Sequence, residues 1–249
     1  MISRSIEVYM LACLAAFSLI NQAWAEQKPP HWNYDAIQEW ADHPAYASCA
    51  LGKNQAPINI VTAQVKKSAL PAIETHYQAS AAEVVNNGHT VQVNLADAGF
   101  AKLNQQRYQL VQFHFHTPSE EAINGKRYPM VAHLVHQTVD GQLAVIALLI
   151  EAGKASAALQ SIFANLPAAT GKRYLIPAMN VIDMLPDLSK YYLFNGSLTT
   201  PPCSEGVKWY IVKKTLTLSA QQIQSFKKIF KQNARPIQPL NGRVVEQSM

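Results

Sequence analysis

The segment Gln112-Phe113-His114-Phe115-His116 alternates polar and aromatic side chains. In a β-strand this alternation places Gln112, His114 and His116 on one face and both phenylalanines on the other, where they can pack in a core. Two imidazoles at positions i and i+2 are a usual way for a sheet to hold a metal ion. The segment therefore predicts a strand whose polar face is a candidate metal site, with histidines that only satisfy local hydrogen bonds as the alternative.

Outward from this strand, the same period-two pattern recurs in several short apolar segments. They cover residues 83–94, 108–116, 130–137, 143–150 and 207–213. The turn-forming sequences that separate them are Asn86-Asn87-Gly88, Asn124-Gly125, Asp140-Gly141 and Asn195-Gly196. Asn124-Gly125 and Asp140-Gly141 are the clearest hairpin signals. The pattern predicts a mainly β domain with hairpins.

A second candidate strand, residues 130–137, carries His133 and His136. Because these histidines are three positions apart, they point to opposite faces, and only one of them can join His114 and His116. Three neutral imidazoles without a cysteine ligand leave one position of a tetrahedral zinc ion for water. Such a set predicts a catalytic rather than a structural zinc site.

Helices are predicted in two places, residues 156–165 and residues 219–230. The second begins at Ser219, which can cap the helix together with Gln222, and apolar residues recur behind them at helical spacing. Short helices on a large β body indicate surface packing rather than a separate domain. Because the chain has no repeat and no linker-like segment, we expect one domain over residues 26–249.

The composition is that of a folded chain. Of its 249 residues, 49% are hydrophobic and 15% are charged, which excludes an intrinsically disordered protein. The content of Gly (10) and Pro (14) excludes a collagen-like one. The net charge is only +5 and the basic residues are scattered, so we expect no nucleic-acid partner.

The first 25 residues predict a signal peptide that is removed. Arg4 precedes an apolar segment over residues 8–20, and Ala23-Trp24-Ala25 offers small residues for cleavage before Glu26. The segment is too short to span a bilayer, and no second segment is long enough. A short N-terminal core helix and a lipoprotein signal at Cys13 are the alternatives. We expect export, to a periplasm first and to the external medium otherwise.

Export also bears on the cysteines. Cleavage removes Cys13 and leaves Cys49 and Cys203, an even number in an oxidising compartment. A disulfide between them is the expectation, and two buried free thiols are the alternative.

Many motifs together resemble the α-class carbonic anhydrases. The resemblance extends from about residue 31 to residue 243 and keeps the family's order and spacing. Besides residues 112–116, the motifs are Trp32-x-Tyr34, Gln55-x-Pro57-Ile58, Asn86-Asn87-Gly88-His89, Ser119-Glu120, Ala132-His133-Leu134-Val135-His136, Gly196-Ser197-Leu198-Thr199-Thr200-Pro201-Pro202-Cys203, Val207-x-Trp209 and Asn233-x-Arg235-Pro236. The resemblance implies a single domain with a large, twisted, mostly antiparallel central sheet and a few short surface helices.

The same resemblance implies zinc-dependent, reversible hydration of carbon dioxide to bicarbonate and a proton. His114, His116 and His133 match the zinc ligands, and hydroxide formed at zinc attacks carbon dioxide. Thr199 matches the residue that orients this hydroxide, and Glu120 matches the residue that orients Thr199. The residues that match the apolar substrate wall and the threonine beside it are Val135, Val145, Leu198, Val207, Trp209 and Thr200.

A path for the released proton is implied as well. His89 matches the family's proton shuttle. A histidine suits this role because an imidazole with an ordinary pKa of about 6.5 both takes up and releases protons near neutral pH. Tyr34, Asn87 and Gln92 match polar residues that order the intervening water, although the family often has Asn where Gln92 stands. Sulfonamides and anions are the expected inhibitors. The family includes monomers and dimers, so a homodimer is possible.

Only two of the family's three ligand supports are kept. Gln112 and the main-chain carbonyl of Asn233 match the groups that hold the first two ligands. The third ligand, His133, usually has a glutamate two residues before it, and here Val131 stands in that place. Loss of such a supporting group typically weakens metal binding about 10- to 100-fold.

Three further departures accompany Val131, namely Glu121 for the usual His, Phe194 for Tyr and Ala56 for Ser. In the family these four side chains form one buried polar network behind the zinc. Either Glu121 supplies the missing carboxylate to His133 from a different backbone position, or an apolar back wall holds zinc less tightly. Our hypothesis is the first.

Two other functions compete with the enzyme. One is a catalytically silent relative that serves as a binding module, which rests on Val131 alone because no ligand histidine is lost. The other is an unrelated β-domain protein that binds or buffers zinc. A three-histidine site beside an apolar wall argues against that second alternative.

Overall fold

The strand that carries His114 and His116 lies near the middle of a large sheet. The computed structural model describes residues 31–249, so the predicted signal peptide, its cleavage site and Cys13 lie outside the described residues. The strands are β1 (Asn59–Ile60), β2 (Lys66–Ser68), β3 (Glu74–Tyr77), β4 (Ser80–Asn86), β5 (Val91–Leu95), β6 (Gly99–Leu103), β7 (Gln106–His116), β8 (Ala122–Ile123), β9 (Lys126–Arg127), β10 (Met130–Gln137), β11 (Leu143–Ala152), β12 (Arg173–Met179), β13 (Tyr191–Ser197), β14 (Glu205–Leu218) and β15 (Glu246–Ser248). The α-helices are α1 (Ser48–Leu51), α2 (Gln160–Ala164) and α3 (Ala220–Lys227), and the 3-10 helices are Ile37–Asp42, Pro44–Tyr46, Thr62–Gln64 and Val181–Met184.

Twelve strands form one continuous sheet. Its order is β12-β4-β5-β7-β10-β11-β14-β13-β15-β2, and β6 pairs with both β7 and β3. Within the described residues, neighbouring strands of this sheet are antiparallel except for β11 with β14 and β15 with β2. β1, β8 and β9 form a separate small sheet. The expectation of a large, mostly antiparallel sheet with a few short helices is confirmed.

The two faces of the large sheet bury different apolar clusters. Phe113 and Phe115 lie in the larger cluster, together with Phe226 of α3. Val131 and Trp209 lie in a second cluster on the opposite face, which is also the face of the ligand histidines. β10 and β11 are buried along most of their length because both of their faces are covered.

Two hairpin predictions are confirmed and one turn prediction is wrong. Asn124-Gly125 connects β8 to β9, and Asp140-Gly141 lies between the antiparallel strands β10 and β11. Asn195-Gly196, predicted as a turn, lies inside β13. The glycine is needed there for space, because a Cβ on Gly196 would lie 2.8 Å from Cδ1 of Trp209 on the neighbouring strand.

The helices are shorter than their sequence patterns. α3 covers Ala220–Lys227 within the predicted 219–230, and Ser219 caps it in a capping box with Gln222, as predicted. α2 covers Gln160–Ala164 within the predicted 156–165. The Gln222 side chain also donates to Gln160, so a polar contact joins the two helices.

One disulfide fixes the segment next to the functional site. Trp32–Met249 forms one compact unit, and within it Cys49 of α1 is bonded to Cys203, as predicted. Cys203 lies in the loop between β13 and β14, which also carries Thr199. No helix in the described part of the chain combines the length and the apolar character that crossing a bilayer requires.

Candidate metal centre and cavity

Three histidines meet where β7 and β10 run side by side. His114 and His116 come from β7, and His133 of β10 lies directly opposite His114 in the strand register. One ring nitrogen of each histidine lies within 4.8 Å of the other two. Antiparallel pairing thus brings together the three residues that the sequence predicts as ligands.

Hydrogen bonds fix the orientation of the two β7 imidazoles. Nδ1 of His114 donates to Oε1 of Gln112 at 2.8 Å, and Nδ1 of His116 donates to the main-chain carbonyl of Asn233 at 2.6 Å. Each ring therefore keeps Nε2 for another partner. Such supports set the tautomer and the direction of a metal-binding imidazole.

The third imidazole is held by Glu121. Nε2 of His133 lies 3.2 Å from one carboxylate oxygen of Glu121 and 3.3 Å from the other, so Nδ1 is the nitrogen that remains available. Glu121 is fully buried. Val131, Phe194 and Ala56 all lie in the second apolar cluster, so the wall behind His133 is apolar apart from this carboxylate.

The electrostatics of the cluster favour a metal ion. Burial is the main reason why the pKa values of His114 and His133 are lowered and that of His116 falls to about 4. The rings are neutral near pH 7 and keep their lone pairs. Nε2 of His116 is buried without a hydrogen-bond partner among the described residues. Three imidazole nitrogens, one of them buried and unpaired, fit the donor set of a catalytic zinc ion.

Glu120 lies beside the histidines and is also fully buried. Its Oε1 accepts a hydrogen bond from the Arg235 amide at 2.8 Å. Burial, and then the charge of Glu121, raises the pKa of Glu120, whereas the Thr199 hydroxyl is close enough to lower it. A divalent cation among the imidazoles would act in the same direction as Thr199 and favour the carboxylate form.

A cavity of about 160 Å³ opens above the three imidazoles. Four of the residues predicted for its apolar wall line it, with both threonines of the β13–β14 loop, namely Val135, Val145, Leu198, Trp209, Thr199 and Thr200. Val207 was also expected among them; it is buried in the second apolar cluster together with Val145 and Trp209, but it is not one of the residues that line the cavity.

Polar residues of the turn between β4 and β5 also line the cavity, with His89 among them. Oδ1 of Asn87 accepts hydrogen bonds from the amides of His89 and Thr90, both at 2.9 Å. Nδ2 of Asn87 donates to Oε1 of Gln92 at 3.2 Å. The residues predicted along the proton path, including Tyr34, therefore all line the cavity.

Trp32 is a cavity residue whose contact the sequence does not reveal. Its ring stacks on the His89 imidazole with centroids 3.7 Å apart and an interplanar angle of 9°. It also contacts Tyr34 and Trp40 edge to face. The motif Trp32-x-Tyr34 marks the residue as part of the resemblance but gives no indication of its partner.

His136 lies away from the metal cluster, as its position in β10 predicts. Its Nδ1 donates to the carbonyl of Leu134 at 2.9 Å, and its Nε2 accepts a hydrogen bond from the Tyr77 hydroxyl at 2.6 Å. Burial lowers its pKa to about 4, so it is a neutral core residue.

Comparison with known proteins agrees with this geometry. Residues 35–249 match the family model described as eukaryotic-type carbonic anhydrase. A carbonic anhydrase of Neisseria gonorrhoeae is 42% identical over 248 residues, which cover 97% of this chain and 96% of that protein. One from Pectobacterium atrosepticum is 37% identical over 246 residues, with 97% of each chain covered.

A solved structure is similar over the same region. The α-carbonic anhydrase of Thermovibrio ammonificans, in complex with the inhibitor sulfanilamide, is 39% identical to this chain and superposes with a TM-score of 0.85. The match covers 88% of this chain and all of that one. The histidine cluster, the fold and these matches together show that the chain belongs to the eukaryotic-type, or α-class, carbonic anhydrase family.

Proposed function

We propose that this protein catalyses the reversible hydration of carbon dioxide to bicarbonate and a proton. The observation that carries the proposal is a trio of neutral imidazoles whose free nitrogens converge beneath a cavity with one apolar wall. Reversible hydration of carbon dioxide is the reaction of the carbonic anhydrase family, to which the chain belongs. No ligand histidine is missing, which argues against a silent binding module.

Zinc is the metal that the three imidazoles would hold. Nε2 of His114, Nε2 of His116 and Nδ1 of His133 would be its ligands, because hydrogen bonds already use the other nitrogen of each ring. Zinc in such a site lowers the pKa of a bound water to about 7, a value for which carbonic anhydrase is itself the standard example.

Thr199 and Glu120 orient the nucleophile. Because the Glu120 carboxylate accepts a hydrogen bond from the Thr199 hydroxyl, the Thr199 oxygen is left to accept one from the attacking hydroxide. This arrangement would point an oxygen lone pair of the hydroxide at the carbon atom of the substrate. Carbon dioxide is apolar and linear, so the wall formed by Val135, Val145, Leu198 and Trp209 would hold it without a polar contact, and Thr200 lines the same cavity.

Each turnover releases one proton, which His89 takes to the solvent. Its position in the lining of the cavity that contains the three imidazoles supports this role. Tyr34, Asn87 and Gln92 line the same cavity and order the water that carries the proton. An imidazole suits this transfer because its ordinary pKa is about 6.5.

The protein acts outside the cytoplasm in this proposal, in a periplasm. The bonded cysteines Cys49 and Cys203 support export, because disulfides persist in oxidising compartments. In this proposal the signal peptide over residues 1–25 directs export and is removed, and residues 26–249 are the mature domain. N-terminal sequencing of the protein recovered from a periplasmic extract tests both, and light scattering tests for a homodimer.

Stopped-flow measurement of carbon dioxide hydration tests the activity. The oxidised protein is assayed with and without added zinc, and sulfanilamide serves as the inhibitor control because the Thermovibrio ammonificans enzyme binds it. Sulfanilamide-sensitive activity without added zinc is the expected result. Activity only with added zinc would mean that Glu121 does not replace the carboxylate missing at position 131. No activity at saturating zinc would overturn the proposal in favour of the binding module.

A further inference from the structure

Asn233 connects the metal-ligand strand to the loop that carries His89. Asn233 is fully buried, and its main-chain carbonyl accepts the hydrogen bond from Nδ1 of His116. Its Oδ1 accepts a hydrogen bond from the Thr117 amide at 2.8 Å. Its Nδ2 donates to the carbonyl of Phe115 and to the carbonyl of His89, both at 3.0 Å. One side chain therefore bonds both to the end of the ligand strand and to the His89 loop.

These contacts form two sets with separate effects. The main-chain carbonyl and Oδ1 act on His116 and on the residue that follows it, so they set the position of a metal ligand. The Nδ2 group reaches the main chain of His89, 144 positions away in the sequence. Because Asn233→Asp removes Nδ2 but keeps the main-chain carbonyl and an acceptor for the Thr117 amide, the two effects can be measured separately.

Other hydrogen bonds shape the His89 loop without fixing its distance from β7. The bonds from the amides of His89 and Thr90 to Asn87 lie within the loop itself. The side chains of Thr90 and Asn233 tie the loop to the end of β7, and the Thr90 hydroxyl also accepts a hydrogen bond from the Phe115 amide at 3.4 Å. The Thr90 hydroxyl and Nδ2 of Asn233 both donate to the Phe115 carbonyl, and Nδ2 alone of these two groups also reaches His89.

We propose that the side-chain amide of Asn233 is a positioning group for proton transfer, which fixes the His89 loop relative to the zinc ligands. This proposal rests on the shuttle role of His89 in the proposed function. Proton transfer through ordered water depends steeply on the separation of donor and acceptor, so a loop held against the ligand strand transfers protons faster than a loose one. Asn233 itself touches neither the substrate nor the transferred proton.

The test compares Asn233→Ala with the unchanged protein in weak buffer. The expected loss in kcat is about 3- to 10-fold, since a misplacement of about 1 Å can cost up to about 10²-fold. kcat/KM and zinc content, which report the metal site, should fall less than kcat, because the main-chain carbonyl that supports His116 remains. A high concentration of imidazole, a diffusing proton acceptor, should restore kcat. In a His89→Ala background the same substitution should lower kcat no further.

Two controls separate positioning from general destabilisation. Gln222→Ala removes a buried amide at the α3 cap, whose hydrogen bonds go to Ser156, Ser219 and Gln160, and should leave kcat unchanged. Asn233→Asp removes Nδ2 but keeps an acceptor for the Thr117 amide. This variant replaces Asn233→Ala in the kinetic test if Asn233→Ala loses zinc. In the metal-free protein, the His89 and Thr90 amides should exchange with solvent faster in both Asn233 variants, while the β10 amides stay as protected as before.

Each contrary outcome has its own meaning. An unchanged kcat in both Asn233 variants, or a loss that imidazole does not restore, overturns the proposal. Parallel losses of kcat/KM and zinc in both variants overturn it too, because they assign Asn233 to the metal site alone. An unchanged kcat in His89→Ala means that the shuttle role itself is wrong, and the proposal fails with it. A loss in His89→Ala without one in the Asn233 variants overturns only the positioning role.

Discussion

Glu121 lies within 3.3 Å of Nε2 of His133 through both of its carboxylate oxygens. In the related sequences that this chain resembles, the carboxylate comes from the position of Val131, two residues before the ligand on the same strand. Here it comes from the loop between β7 and β8, and the strand position is filled by an apolar side chain. The geometry gives the third imidazole a partner by a different route.

Replacement of Glu121 by Gln should therefore accelerate the loss of zinc. The amide keeps the shape of the side chain but removes the charge that strengthens the hydrogen bond from His133, and we expect a release rate at least about 10-fold higher. Release into a chelating indicator measures it. Glu74→Gln is the control because Glu74 is half-exposed on β3. Equal rates in the two variants would show that Glu121 does not support the ligand.

Restoring the family's residue at position 131 should destabilise this protein. In Val131→Glu a carboxylate enters the cluster that contains Ala56 and Phe194, and Glu121 already occupies the imidazole it would bind. We expect the free energy of unfolding to fall by about 3 kcal/mol or more. Urea denaturation measures the change. Val139→Glu, at an exposed position beyond β10, should stay within about 0.5 kcal/mol. Equal stability of the two variants would contradict this account.

Thr199→Ala should lower kcat/KM for carbon dioxide hydration about 10²-fold, as loss of one preorganised hydrogen-bonding group typically does. Zinc content should not change. Because Thr199 and Glu120 act as a unit, adding Glu120→Gln to Thr199→Ala should cause little further loss. Stopped-flow assays of the single and double variants measure this, with Thr62→Ala, at a partly exposed position that does not line the cavity, as a control. Additive losses would mean that the two residues act independently.

Removal of the disulfide should lower the free energy of unfolding by about 2–5 kcal/mol. The bond between Cys49 and Cys203 closes a loop of 154 residues, so it restricts the unfolded chain strongly. Urea denaturation of the Cys49→Ser/Cys203→Ser variant measures the effect. The reduced natural protein should show the same stability as this variant, and reductant should not affect the variant. A variant as stable as the oxidised protein would refute the prediction.

Period-two patterning determined the strands and the metal face. The alternation in residues 112–116 put His114 and His116 on one face, and the three-residue offset in β10 meant that only His133 or His136 could join them. The hairpins at Asn124-Gly125 and Asp140-Gly141 also follow from local sequence, because these pairs adopt the backbone angles that tight turns require. Such signals are local, and neighbouring residues suffice to read them.

Local signals failed where distant chain segments compete with them. Asn195-Gly196 has the composition of a turn, yet pairing along β14 extends it as a strand, and Trp209 takes the space that a side chain at position 196 would need. Tertiary packing outweighs turn propensity at this position.

The sequence by itself determined the β class, the three ligand histidines and the motifs that place the chain in its family. Only the tertiary structure decided which groups hold those histidines and the shuttle loop. Glu121 and Trp32 lie outside regular strands, where periodicity does not give the direction of a side chain. Asn233 reaches His89 across 144 positions, and a contact of that range depends on how the whole chain folds.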